Sequence, residues 1–282
     1  MGERGGQIQE RSGVTDKGII FSAPMVRALI AGRKTQTRRL LKPQPGDTGA
    51  AGKRVDHVGD YCTGAPQHGQ AYYWRANGSW NSSERFHLPY ASGDRLYVRE
   101  ACRAEELSED GMDGVRFLAN DAFLPIGNDP SAGLKWLKLF NYGQKEGASP
   151  TGLRGKGVPS IHMPRWASRL WLAVTEVRVQ RLQDCSEADA KAEGVVWQDP
   201  TEEDYRWARQ EGIPVSDMEG VWTVPGMKAV GADVWGVDPQ QAYHMLWNSL
   251  HTAEGERWVD NPWVVAVTFE VYQGNIDAGG AA

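Results

Sequence analysis

Gly32-Arg33-Lys34-Thr35-Gln36-Thr37-Arg38-Arg39 is the stretch on which the reading of this chain turns. Gly32 is a natural end for the helix ahead of it, because a residue without a Cβ adopts the left-handed conformation that terminates helices. Ser22 and Pro24 open that helix, and Met25, Val26, Leu29 and Ile30 lie on one of its faces. A short apolar strand at 18–22 precedes it. After Gly32, the alternation of 34–39 predicts a second strand, with Thr35, Thr37 and Arg39 on one face and Gln36 and Arg38 on the other.

The same stretch concentrates charge. Arg27, Arg33, Lys34, Arg38, Arg39 and Lys42 supply six positive charges with no acidic residue among them, in a chain of 282 residues whose net charge is −5. An acidic whole argues against a protein that coats long nucleic acid by releasing counterions, and favours a small ligand or a local contact. A lysine among arginines has its ammonium form disfavoured by like charge, so once partly desolvated its amine can act as a base toward Thr37. A solvated basic strand edge is the plainer reading of the segment by itself.

Working outward, the turn Ser92-Gly93-Asp94 leads into a strand at 95–102. The strongest strand is 169–182, with a break at Thr175-Glu176 that suggests a bulge. Ser186 then caps a helix, with Asp189 three residues on and a stop at Gly194, which puts Glu193 in its last turn. Ala242, Met245, Leu246 and Trp247 predict a helix over 240–250, and 263–272 closes the chain as an apolar strand.

Two loop-rich insertions interrupt this order. The first, 42–88, has alternation only near 70–74 and a turn signal at Asn77-Gly78; the second, 105–159, has a periodic run only at 134–140. The second is expected to cover or rim the main body without a core of its own, as a lid would. The stretch 200–238 reads as polar and irregular. Residues 1–16 and 274–282 read as frayed tails around a single domain at 17–273. The fold class expected is α+β, a small mixed β-barrel with flanking helices.

Phosphate-loop, dinucleotide, zincin and hydrolase-elbow motifs are absent. The six histidines never fall at i, i+4 spacing, and Cys62, Cys102 and Cys185 form no CxxC pair, so neither a metal site nor a disulfide framework is expected. No run of apolar residues is long enough for a membrane span and 1–17 has no hydrophobic signal core, which makes a cytoplasmic location the default expectation.

The helix ending in Gly32-Arg33-Lys34-Thr35, the strand with Thr37 and Arg39, Gly93-Asp94-Arg95-Leu96-Tyr97-Val98-Arg99-Glu100, the strand at 174–184, Ala190-Lys191-Ala192-Glu193-Gly194 and the strand at 264–272 together resemble the ASCH family of the PUA-like superfamily. Phe21-Ser22-Ala23-Pro24-Met25-Val26 and Ser160 to Ser168 resemble the larger phage and prophage members. The resemblance implies a PUA-like barrel. It also implies a metal-independent, cofactor-free amidohydrolase that removes the acyl group from N4-acylated cytosine or cytidine, as some small family members do, with Lys34, Thr37 and Glu193 as the catalytic set. Arg33, Thr35, Arg39, Ser22 and Arg99 are the substrate-binding set, Arg39 being placed to stabilise an oxyanion. The alternative is a non-catalytic module that binds RNA or a modified base.

Overall fold

The computed structural model describes residues 16–42, 44, 55–59, 71–76, 79–80, 86–107, 111–127, 130–144, 153–229 and 232–278. Its main sheet has five strands: β1 (Asp16–Ile20), β2 (Gln36–Leu40), β3 (Arg95–Arg99), β4 (Leu170–Arg181) and β5 (Trp263–Gln273). Their order is β1-β3-β4-β5-β2. The β1–β3 pair is parallel and the other three are antiparallel. In β5, Val264, Val265, Ala266 and Val267 are all fully buried. Four consecutive buried residues require cover on both faces of the strand, which explains its unbroken apolar run. The ladder between β4 and β5 shifts register between Val174 and Glu176, as the break in the sequence pattern anticipated.

The chain is α+β, and among the described residues none of its sheets closes into a barrel by backbone pairing. The main sheet curls nonetheless. β1 and β2 are at opposite ends of the strand order, yet Arg39 Nη2 on β2 donates to the Ile20 carbonyl on β1 at 2.7 Å. A side chain links edges that no main-chain bond joins.

The described residues form five α-helices: α1 (Ala23–Ile30), α2 (Pro130–Phe140), α3 (Glu187–Ala192), α4 (Glu202–Gln210) and α5 (Pro239–Leu250). α1 contributes Met25, Val26 and Leu29, and α5 contributes Ala242, Tyr243, Leu246 and Trp247, to the core over the main sheet. Both apolar stripes recur at helical spacing.

Three sequence expectations need correction. The second insertion has its own core: strands Cys102–Leu107, Met112–Phe117 and Phe123–Pro125 form an antiparallel sheet, and α2 packs Trp136, Leu139 and Phe140 against Cys102, Val115, Phe117, Val158 and Met163. Gly114 permits that packing, because a Cβ there would fall 2.3 Å from the Phe123 ring. Within 200–238, Glu202–Gln210 forms α4, and Val221–Ala229 and Ala232–Gly236 join Val196–Gln198 in an antiparallel sheet. Residues 274–278 belong to the fold. Asn275 Nδ2 donates to the carbonyls of Arg165, Trp166 and Ser168 at 3.0, 3.0 and 2.9 Å, and Ile276 is fully buried.

In the first insertion, Ala71–Ala76 pairs antiparallel with Val55–Gly59, Ser79–Trp80 and Phe86–His87; the Asn77-Gly78 turn, Cys62, residues 1–15 and 279–282 lie outside the described residues. Cys102 and Cys185 are buried free thiols whose pKa values burial pushes up to about 12. No helix among the described residues is long and apolar enough to cross a membrane.

Candidate active site

Two helix ends meet at the site. α1 stops at Gly32, whose φ of 68° turns the chain so that the amides of Arg33 and Lys34 both donate to the Ala28 carbonyl, at 2.9 and 3.2 Å. α3 begins at Ser186, which accepts from the Asp189 amide while Asp189 accepts from Ser186, a complete capping box. It ends at Glu193, and Gly194 (φ 106°) redirects the chain. The Thr35 amide donates to the Ala192 carbonyl at 2.9 Å, locking one helix exit against the other. Lys34 and Glu193, far apart in sequence, are thereby held face to face by backbone geometry.

Their side chains form a buried network. Lys34 Nζ donates to Glu193 Oε2 at 2.6 Å and to the Glu193 carbonyl at 2.9 Å. Arg38 Nη1 and the Tyr243 hydroxyl both donate to Glu193 Oε1, at 3.3 and 3.2 Å. Behind them, Asp189 takes Arg178 at 2.8 Å and Arg38 Nη2 at 3.0 Å. The Arg38–Asp189 contact is an ion pair in which the N–H is not aimed at the oxygen, so Arg38 Nη2 and Nε are left without a hydrogen bond. Lys34, Arg38 and Glu193 are each at most 4% exposed. Truncating one partner of such a buried pair strands the other, at a cost of about 3–5 kcal/mol.

Burial is the largest influence on Lys34. It pulls the pKa of the amine below the ordinary lysine value, Glu193 opposes it, and the charges of Arg39 and Arg38 add to the depression. Like charge therefore contributes less than the sequence reading supposed. Burial also disfavours the Arg38 cation, but Glu193, Tyr243, Cys185 and Asp189 outweigh it and its pKa stands above the usual value. For Asp189, burial is overcome by the hydrogen bonds of Arg178 and Ser186 and the charge of Arg38, and its pKa lies below the carboxylate range. Burial, and then the charge of Glu193, drives the Tyr243 phenol well above 10.

A cavity of about 220 Å³ opens beside this network, with Lys34, Thr37, Arg38, Arg39, Glu193 and Tyr243 in its wall and Phe21, Trp247 and His251 completing it. Larger depressions of about 390 and 490 Å³ lie elsewhere, but no such buried charges converge on them. The Thr37 hydroxyl has no hydrogen-bond partner among the described residues and is absent from the sealed polar atoms, so it faces the open cavity. No hydrogen bond joins Lys34 to Thr37; the amine is committed to Glu193.

Of the residues expected from sequence, Lys34, Thr37, Glu193, Arg39 and Ser22 come together in the cavity wall. Thr35 does not: β2 begins only at Gln36, and Thr35 is exposed with its backbone bridging Ala192 and Phe269. Arg33 likewise lies outside the wall. Arg99 donates to the carbonyls of Ile161 and Met163, pinning that segment instead of meeting a ligand. Ser22 keeps its helix-opening place but does not cap through its hydroxyl, which sits 3.8 Å from the Met227 sulfur.

Arg38, Tyr243 and His251 were missed. Strand alternation puts Arg38 on the opposite face from Thr37, yet its long side chain reaches Glu193. Tyr243 sits within a helix whose apolar register was legible, but nothing local marks its hydroxyl as a ligand of Glu193. Among the described residues no three His, Cys, Asp or Glu side chains cluster as metal ligands. Comparison with family models, with curated proteins and with solved structures returned no match.

Proposed function

We propose that this chain is an amidohydrolase that deacylates N4-acylated cytosine, cytidine or a closely related amide at the Lys34–Thr37–Glu193 site. The observation that carries the reading is a buried lysine of depressed pKa, held by a carboxylate, in the wall of a base-sized cavity that also presents an uncommitted hydroxyl. A nucleophile needs a base whose amine gives up its proton more readily than a free lysine and that is oriented by a third group; burial lowers the Lys34 pKa and Glu193 orients its amine.

In this mechanism the Thr37 oxygen attacks the acyl carbonyl carbon, and its proton passes to the neutral Lys34 amine directly or through one water. The resulting ammonium faces the developing oxyanion. As the C–N bond breaks, that proton moves to the leaving N4, giving the free amine and a Thr37 ester; water, deprotonated by Lys34, then hydrolyses the ester and restores the hydroxyl. Glu193 aligns the amine throughout, and Arg38 and Tyr243 hold Glu193. Donors outnumber acceptors in the wall, which suits an acylated pyrimidine, a ligand rich in carbonyl and ring-nitrogen acceptors.

We also infer that the main sheet is a PUA-like barrel of the ASCH kind whose last seam, between β1 and β2, is bridged by Arg39 and Ile20. The RNA-binding alternative is less well supported. The positive charges of 27–42 do not share one surface, since Lys34 and Arg38 are buried and Arg27 is tied to the Ala119 carbonyl at 2.7 Å.

The test is cytidine release from N4-acetylcytidine by the purified protein, followed by chromatography. Release by wild type and its loss in folded Thr37→Ala is the expected outcome. No release across several acyl groups, with RNA binding that weakens steeply with salt, would transfer the assignment to the binding module.

A further inference from the structure

Among the described residues, Arg39 is the arginine of the cavity wall with no carboxylate against it, since Arg38 meets both Glu193 and Asp189. Glu193 is the one carboxylate among the lining residues, and Lys34, Arg38 and Tyr243 already share it. Arg39 is left over. It has no ion-pair partner among the described residues. Its Nη2 is taken by the Ile20 carbonyl, its Nε is sealed from solvent without a partner, and Nη1 is neither sealed nor bonded. The guanidinium lies 5.3 Å from the centre of the Phe21 ring, over which Lys34 Nζ also sits at 5.8 Å. Nearby, His251 is held down in pKa first by burial and then by the charges of Arg39 and Lys42, against the Trp247 carbonyl and Glu256. Lys42 is itself paired with Glu256 at 3.1 Å.

A half-buried guanidinium has lost part of its hydration, and with no anion opposite it the Ile20 carbonyl and the Phe21 ring offset that loss only in part. With Nη1 open, Arg39 can make a charge-assisted hydrogen bond to a phosphate oxygen. We propose that Arg39 is the anchor for a phosphate group on the ligand, so that the site takes a phosphorylated, nucleotide form of its base-bearing substrate in preference to the neutral nucleoside. This rests on the reading above only for the base; the phosphate anchor stands on the unpaired cation. It also differs from the oxyanion role that sequence position suggested for Arg39. An oxyanion donor acts on kcat for every substrate alike, whereas an anchor acts on the affinity of the anionic ones.

Isothermal titration of wild-type protein with cytidine, cytidine 5′-monophosphate and inorganic phosphate at low ionic strength tests this without relying on turnover. The expected result is that the monophosphate binds roughly tenfold to hundredfold more tightly than cytidine, the range of one charge-assisted contact. That advantage should shrink with added potassium chloride and collapse in Arg39→Gln, with partial recovery in Arg39→Lys, which restores the charge but not the reach and planar geometry of the guanidinium. Equal affinities for cytidine and its monophosphate in wild type would overturn the anchor while leaving the deacylase reading intact. Phosphate binding as tightly as the nucleotide, with cytidine undetectable, would keep the anchor and overturn the nucleobase reading. An advantage that survives in folded Arg39→Gln would move the anchor to another residue and overturn the assignment.

Discussion

Two buried ion-pair clusters in this chain look alike on a distance list and differ in what they can do. Glu100 and Arg169 form a bidentate pair, with both contacts at 2.8 Å; the guanidinium stacks 4.0 Å from the Phe117 ring centre and also donates to Asn120. It ties the end of β3 and the start of β4 to the second core, every strong acceptor is matched, and it lines none of the three cavities described above. Burial raises the Glu100 pKa, with Arg169 pulling against it. The Lys34–Glu193–Arg38 cluster is as deeply buried but unfinished: it borders a cavity, and among the described residues a hydroxyl beside it has no partner and one cation, Arg39, is left over. A buried charge pair is evidence of function only when its surroundings leave groups uncommitted.

The contrast can be broken by exchange of effects. Lys34→Ala should lower kcat for acyl-cytidine hydrolysis by about 10²–10⁴-fold, the usual range for losing a general base. Glu100→Ala should leave kcat of the folded fraction near wild type while reducing stability by about 3–5 kcal/mol in urea titration, because Arg169 is left buried without its partner. If Glu100→Ala instead abolishes turnover in fully folded protein, the two clusters are not separable in the way described here.

Next in size is the pH response. Lys34 must be neutral to accept a proton, so kcat/KM should rise with pH through an ionisation below the ordinary lysine range. Glu193 is the group that raises this pKa, so Glu193→Gln should move the inflection to lower pH, whatever it does to the maximum rate. Between the lowered value and the ordinary one, the unfolded chain binds more protons at Lys34 than the folded chain, so this residue makes folding more favourable as pH rises through that window. An inflection that stays fixed in Glu193→Gln would remove Lys34 as its source.

The smallest effect sharpens the positioning argument. Ser186→Ala removes one half of the capping box that starts α3 and should cost about 1 kcal/mol. Because α3 delivers both Asp189 and Glu193, a fall in kcat with KM little changed is expected alongside the stability loss, read by steady-state kinetics on the folded protein.

The helix ends that frame the candidate site were legible because they are local signals, a glycine stop and a cap three residues ahead of an acid, whereas the set of Lys34, Thr37 and Glu193 came from the family resemblance. The register shift at Val174 and the helix carrying Leu246 and Trp247 were legible for the same reason. The second core was not, because Cys102, Trp136 and Val158 are distant in sequence and none of their segments has a long apolar period of its own. The sheet around Val221–Ala229 was hidden by Pro225 and Gly226, which break the strand's alternation, and by the shift in its pairing between Thr223 and Lys228. Arg38 and Tyr243 could be placed at Glu193 only once strand, helix end and α5 were brought together in three dimensions.

The most direct test is mass spectrometry of protein quenched during turnover of N4-acetylcytidine, with peptide mapping of any acyl adduct. The account predicts an acetyl group on Thr37 in wild type, and none in Thr37→Ala or Lys34→Ala. Full cytidine release by Thr37→Ala, or an adduct on another residue, would contradict it.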